Sequence, residues 1–240
     1  MAHAWMPEAR RIRAEADGGP LGGGAPRAVW LTLDSPAGAV SVQSAARRLV
    51  GEHRPCHLIW DPATGEMAQL ISVLRAGRAL GAPDRLDWMP NRVRRRPENV
   101  NAEGRVCVQI GVLAIASEPF TNGPLVGAEA IVSWLDSWGV PRRWPNGQPG
   151  GWADGGGVGG AAGGGIGRGS GGSGGNRAVW ARGGHFGASQ VPGCCHAGPG
   201  AIDIHRLTGN GSHVPHARAA RSSARDLSAT LTAAALAVPA

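Results

Sequence analysis

Residues 105–116 read RVCVQIGVLAIA. This is the most apolar β-rich run in the chain, and it predicts a strand central enough to be buried on both faces of a sheet. It follows 101–104 (NAEG), which reads as a turn. Upstream, 27–33 (RAVWLTL) predicts another strand, closed by Asp34-Ser35-Pro36. In 40–50, Val40, Ala45, Leu49 and Val50 fall near helical spacing, with Arg47 and Arg48 outward. Residues 57–60 and 67–71 predict two short strands joined by the turn Asp61-Pro62-Ala63-Thr64-Gly65, a hairpin. A short helix is expected over 72–80.

Downstream, 125–138 predicts an amphipathic helix carrying Val126, Ala130, Ile131, Trp134, Leu135 and Trp138, stopped by Gly139-Val140-Pro141. Order resumes at 178–181 (AVWA), a loop dense in His, Cys, Pro and Gly fills 183–200, and 202–207 forms a short closing element. Strands alternating with helices, together with a hairpin, predict an α/β fold: a mixed central β-sheet flanked by helices. The expected organisation is a flexible lead over 1–26, one domain built from 27–149 and 176–207, a disordered Gly-rich insert over 150–175, and an Ala/Arg-rich tail over 208–240. The insert is nearly pure Gly with Ser and Ala, too poor in apolar surface to offset chain entropy.

All 24 basic Lys/Arg side chains are Arg, there is no Tyr, and the formal charge is +7. That balance favours anionic partners without choosing among them, and a solvated surface is the favoured reading. The run Arg94-Arg95-Arg96 reads as a solvated loop before a nucleic-acid patch. The four cysteines, Cys56, Cys107, Cys194 and Cys195, suggest no disulfide framework. Residues 1–13 are charged and lack the apolar centre of a signal peptide, and no apolar run is long enough to span a bilayer. The expectation is a chain made in the cytoplasm, not in a membrane, that reaches a cell wall only by release or another export route. No phosphate loop and no dinucleotide-binding glycine fingerprint occurs.

Several segments, taken in order, resemble the zinc-dependent N-acetylmuramoyl-L-alanine amidases (type 2 amidases, phage endolysins and peptidoglycan recognition proteins). Arg27-Ala28-Val29-Trp30-Leu31-Thr32 is similar to the family's opening strand, usually V-W-H-T. Residues 56–69 (CHLIWDPATGEMAQ) resemble its hairpin, and 101–111 (NAEGRVCVQIG) its central strand, usually ending I-E. Gly184-His185-Phe186-Gly187-Ala188-Ser189-Gln190-Val191-Pro192 and His196-Ala197-Gly198-Pro199-Gly200 resemble its terminal loop, usually G-H-S-Q-V-P and then H-x-D-P-G. The likeness spans about 20–207 without the glycine insert.

The resemblance implies amide cleavage in peptidoglycan, between muramic acid and L-Ala. A zinc ion with three protein ligands and one open position would polarise the carbonyl and activate water. A carboxylate would act as general base and a cationic side chain would steady the oxyanion. Carried across, the zinc-ligand positions hold Leu31, Ala188 and Gly198, and the assisting Glu position holds Gly111. Only the cationic position keeps a fitting residue, His196, the one catalytic candidate. The implied substrate-binding candidates are Thr32, His57, Asn101 and Trp180. The expectation is a degenerate copy: zinc in the family, none bound here, and amidase activity absent or very low.

A relocated metal site in His185, Cys194, Cys195 and His196 is the alternative, though the run lacks C-x-x-C spacing and ordinary loop residues are the favoured reading. Trp30, Trp60, Trp134, Trp138 and Trp180 read as core before sugar platforms, whereas Trp88, Trp144 and Trp152 sit in loops suited to stacking on glycan. Three functions remain open: a wall amidase by descent, a non-catalytic groove for peptidoglycan or muropeptides, and, least favoured, an Arg-rich surface for nucleic acid.

Overall fold

The computed structural model describes residues 2–80, 106–150, 176–192, 194, 196 and 198–209. Its strands are β1 (Arg10–Arg11), β2 (Arg27–Thr32), β3 (Leu58–Trp60), β4 (Met67–Gln69), β5 (Val108–Val112) and β6 (Gly184–Gly187). The helices are α1 (Val42–Gly51), α2 (Ala128–Ser137), α3 (Arg177–Trp180) and α4 (Ile204–Thr208). The fold is α/β, with one six-stranded sheet in the order β1-β4-β3-β5-β2-β6. β3, β5, β2 and β6 run parallel, and β4 is antiparallel to β3.

Strand alternation produces two cores. On one face Ala28, Trp30, Leu58, Trp60, Ile110 and Val112 pack against Ile131, Val132 and Leu135 of α2. On the other, Val29, Leu31, Ile59 and Ala68 pack against Val42, Ala45, Ala46 and Leu49 of α1. Ser41 caps α1, its hydroxyl accepting from the Ser44 N–H at 3.1 Å. The hairpin turn needs glycine at 65: φ is +78°, and a Cβ there would lie 2.6 Å from Val126 Cγ1.

Two expectations are corrected. Residues 72–80 form no helix. Their backbone donors go elsewhere: Val73 N–H to Ala4 O (3.2 Å), Ala76 to Gly19 O (2.9 Å), Arg78 to Pro55 O (2.8 Å) and Ala79 to Gln109 Oε1 (3.0 Å). A helical ladder would forfeit these long-range bonds. The lead is not a loose appendage either. β1 extends the sheet beside β4, and Met6 is 1 % exposed within the α2-side core. Gln69 clamps the lead, accepting from the Met6 N–H at 2.5 Å and donating to Ala4 O at 2.9 Å. Composition alone hid this, because the partners of the lead are remote in sequence: Arg10 pairs with Ala68, and Met6 with Gln69. The expected glycine insert (150–175), apart from residue 150, and the expected tail (208–240), apart from residues 208 and 209, lie outside the described residues, as do Trp88, Asn101, Trp152 and Cys195.

Replacing Met6 by Ala should lower unfolding free energy by about 2–4 kcal/mol in urea titration, because a buried side chain leaves a cavity. An unchanged midpoint would show that the lead does not belong to the core.

Candidate functional site at the carboxyl edge of the sheet

β2 and β5 are adjacent and parallel, yet the chain leaves them toward opposite faces: β2 leads to α1, and β5 leads to α2. A crevice opens between such loops beyond the carboxyl ends of the strands, the usual ligand position in open α/β sheets. Here it is a groove of about 500 Å³, lined by Pro36, Pro62, Ile115, Pro119, Phe120 and Pro124 among others. A second, smaller cleft of about 150 Å³ lies on the α1 side, between Leu31–Asp34, the end of α1 and His196.

The four family positions meet at this edge. Leu31 is the register partner of Gly111. Trp30 pairs with Gly187, so the next residue, Ala188, continues alongside Leu31 in the same apolar cluster. Gly198 lies against the start of this segment, the Ser189 N–H donating to Gly198 O at 3.0 Å. A Cβ at 198 would collide with Thr32 Oγ1 and stand 3.0 Å from the Thr32 backbone nitrogen. A Cβ at 111 would sit 3.1 Å from both Leu33 methyls and 3.2 Å from Cys56 Sγ.

These residues do not fit a zinc ion. Leu31 and Ala188 offer hydrocarbon, Gly111 and Gly198 offer no side chain, and neighbouring atoms fill the space where donors would project. Nor do His185 and Cys194 share a face. His185 stacks on the Trp30 face of the sheet, whereas Cys194 belongs to the α1-side core. Among the described residues no three His, Cys, Asp or Glu side chains are grouped to hold a metal.

His196 does reach the site. It lines the small cleft, and its Nδ1 accepts from the Gly198 N–H at 3.1 Å. Burial holds its pKa below the usual histidine value, opposed by Asp34 and reinforced by Arg54. Thr32 borders the same cleft but is fully buried, and its Oγ1, which faces Gly198, has no hydrogen-bond partner among the described residues.

His57 and Trp180 do not reach it. His57 is 0 % exposed; its Nδ1 accepts from the Gln109 N–H (2.9 Å) and its Nε2 meets Arg75 O (2.8 Å). With both ring nitrogens spent on backbone, it is a neutral structural bridge rather than a substrate contact. Trp180 is buried edge-on against Phe186, ring centroids 4.8 Å apart, with the Arg27 guanidinium over its ring, 4.9 Å from the centroid. Trp144, the remaining loop candidate, stacks on His185 at 5.8 Å.

The sequence reading missed Asp34, Arg48, Glu52 and Arg54, which line the small cleft. Helical periodicity placed Arg48 outward, yet its Nη2 turns back to donate to Leu33 O at 2.9 Å. No protein-family model, curated protein or solved structure matches the chain.

Two predictions follow from this packing. Gly198→Ala should cost about 1–3 kcal/mol through overpacking, and adding Thr32→Ala should recover much of it in a double-mutant cycle. Simple additivity would mean that the loop does not rest on β2. Separately, burial pulls His57 and His185 down to about 4. Each ring is fully stabilising above the unfolded value near 6.5. Below that value the unfolded chain takes the proton first, so stability falls by about 1.4 kcal/mol per pH unit per ring until near pH 4. Urea midpoints from pH 7 to 4 should fall accordingly, and less steeply in His57→Gln.

Proposed function

We propose that this chain is a non-catalytic relative of the wall amidases that binds peptidoglycan fragments in the groove at the carboxyl edge of its sheet. The observation that carries the reading is a contrast within one edge. The positions where the resemblance would put zinc chemistry hold Leu31, Gly111, Ala188 and Gly198, packed by their neighbours, while a groove of about 500 Å³ stays open beside them. Hydrolysis needs donor atoms converging on one point. Binding needs only shape, apolar surface and a few polar groups.

The groove suits a glycopeptide. Proline rings, Ile115 and Phe120 supply rigid apolar walls for sugar faces and methyl groups, and Ser117, Glu118 and Asn122 supply hydrogen-bonding groups at its margin. His196 keeps its family position, but without a metal-bound carbonyl beside it there is no oxyanion for it to steady. Among the described residues no helix is long and apolar enough to cross a membrane.

The purified full chain should sediment with insoluble peptidoglycan, leave wall suspensions turbid, and carry far less than one zinc per chain. Ile115→Glu should weaken sedimentation about tenfold, a loss of about 1.4 kcal/mol, while leaving the fold intact by circular dichroism. Wall clearing with stoichiometric zinc would overturn the non-catalytic reading. Sedimentation abolished by salt and transferred to DNA would replace wall binding by general polyanion binding.

A further inference from the structure

The sheet ends differently at its two edges. β6 is covered: its four residues are buried, the His185 N–H donates to Arg143 O at 2.8 Å, and the Gly187 N–H donates to Gln190 Oε1 at 2.9 Å. β1, at the other end of the strand order, has β4 on one side and, among the described residues, no strand on the other. Its pairing runs on past Arg11, since the Ile12 N–H donates to Gln69 O at 3.0 Å and the Ala14 N–H to Leu70 O at 2.9 Å. Successive residues of an extended segment turn their main-chain groups to opposite edges. The main-chain groups of Arg11 and Arg13 therefore face away from the sheet. An open edge of this kind is a template for another strand.

Side chains alternate along the same stretch. Ile12 and Ala14 pack partly buried against the α1-side core, whereas Arg11 and Arg13 are exposed. Both guanidiniums lie over the Trp5 ring, 5.3 and 5.8 Å from its centroid. Trp5 stands between Ala4 and Met6, whose main-chain groups Gln69 holds. Two cations are thus set two residues apart on one side of an open edge. Neither makes an ion pair among the described residues.

Charge on an edge strand ordinarily repels other strands, and against a neutral or basic strand these arginines do so. Toward an acidic strand the same charges attract, so the edge rejects most strands and accepts one class. Glu8 and Glu15, both exposed, bracket the pair in sequence. A long uniform polyanion would meet them, and nucleic acid has no peptide groups to offer the open edge. We propose that the β1 edge adds a strand from an acidic partner, an extended polypeptide segment with Asp or Glu at alternate positions. Its main chain bonds to that of Arg11 and Arg13, and its carboxylates lie beside their guanidiniums. A second copy of this chain fits less well, because antiparallel pairing across Arg11–Arg13 sets arginine against arginine. None of these residues lines the groove, so the proposal is independent of wall binding.

Fluorescence anisotropy on the full chain, with a labelled and end-blocked peptide of alternating Glu and Val, tests it. The peptide should bind saturably, and at least about tenfold more tightly than a version N-methylated at every residue, which keeps the carboxylates and loses every main-chain donor. Arg11→Glu combined with Arg13→Glu should weaken the Glu/Val peptide at least about tenfold and turn the preference to a Lys/Val peptide, with the circular dichroism spectrum unchanged. That reversal separates recognition from a merely structural role of the arginines. No saturable binding would overturn the proposal. So would equal binding of the N-methylated peptide, or of an oligothymidylate of the same length, either of which would make the edge a general polyanion patch. A concentration-dependent dimer that the double substitution dissolves would assign the edge to a second copy and overturn it as well.

Discussion

Buried backbone groups must be paired, and in this chain three side chains within the sheet discharge that obligation for the irregular segments around it. Gln69 satisfies the lead through Met6 and Ala4. His57 ties the β5 backbone at Gln109 to the carbonyl of Arg75. Gln109 accepts from Ala79, and its amide fills the space where a Cβ at Gly77 would stand, 2.5 Å from Oε1. All three are 0 % exposed. Remove these bonds and 72–80 would have donors facing an apolar wall, and Ala79, part of the cleft floor, would lose its fixed place.

The carboxyl edge can be understood on the same terms. A buried polar group survives only with a partner, and a metal ligand without its metal is such a group. Hydrocarbon at 31 and 188 removes that penalty, and glycine at 111 and 198 lets Leu33, Cys56 and Thr32 close in. Burial pushes the Cys56 thiol up to about 12, so it packs here as a protonated, inert side chain. These four positions are thereby closed by packing alone. The loops of the edge still hold the groove open, because the walls are proline-rich and the strand exits diverge whatever occupies the four positions.

The sequence made the regular part of this legible. β2, the hairpin strands, β5 and α2 lie within segments whose pattern announced them, each a residue or more shorter than expected, and α1 starts two residues later and ends one residue later than its expected 40–50. Local pattern failed wherever the deciding partner was remote. The 72–80 segment has helical composition but spends its donors on residues 4, 19, 55 and 109. His57 and Trp180 resembled groove residues because sequence cannot show that their polar atoms and faces are already taken by Gln109, Arg75, Phe186 and Arg27. The convergence of Leu31, Gly111, Ala188 and Gly198 at one edge was suggested by resemblance alone. Periodicity could not have placed them together.

Asp34 links the two clefts. It is one of two described non-glycine residues with positive φ, at +50°, a conformation Asp tolerates better than most side chains. The chain needs it because β2 must stop and turn within two residues. Leu33 and Asp34 face the polar cleft, and Pro36 and Ala37 face the groove. The Arg48 side chain holds the turn from beneath through Leu33 O, and the Leu33 N–H is fixed by Val112 O at 2.9 Å. One short segment, pinned through both backbone groups of Leu33, thus forms a wall of each cavity.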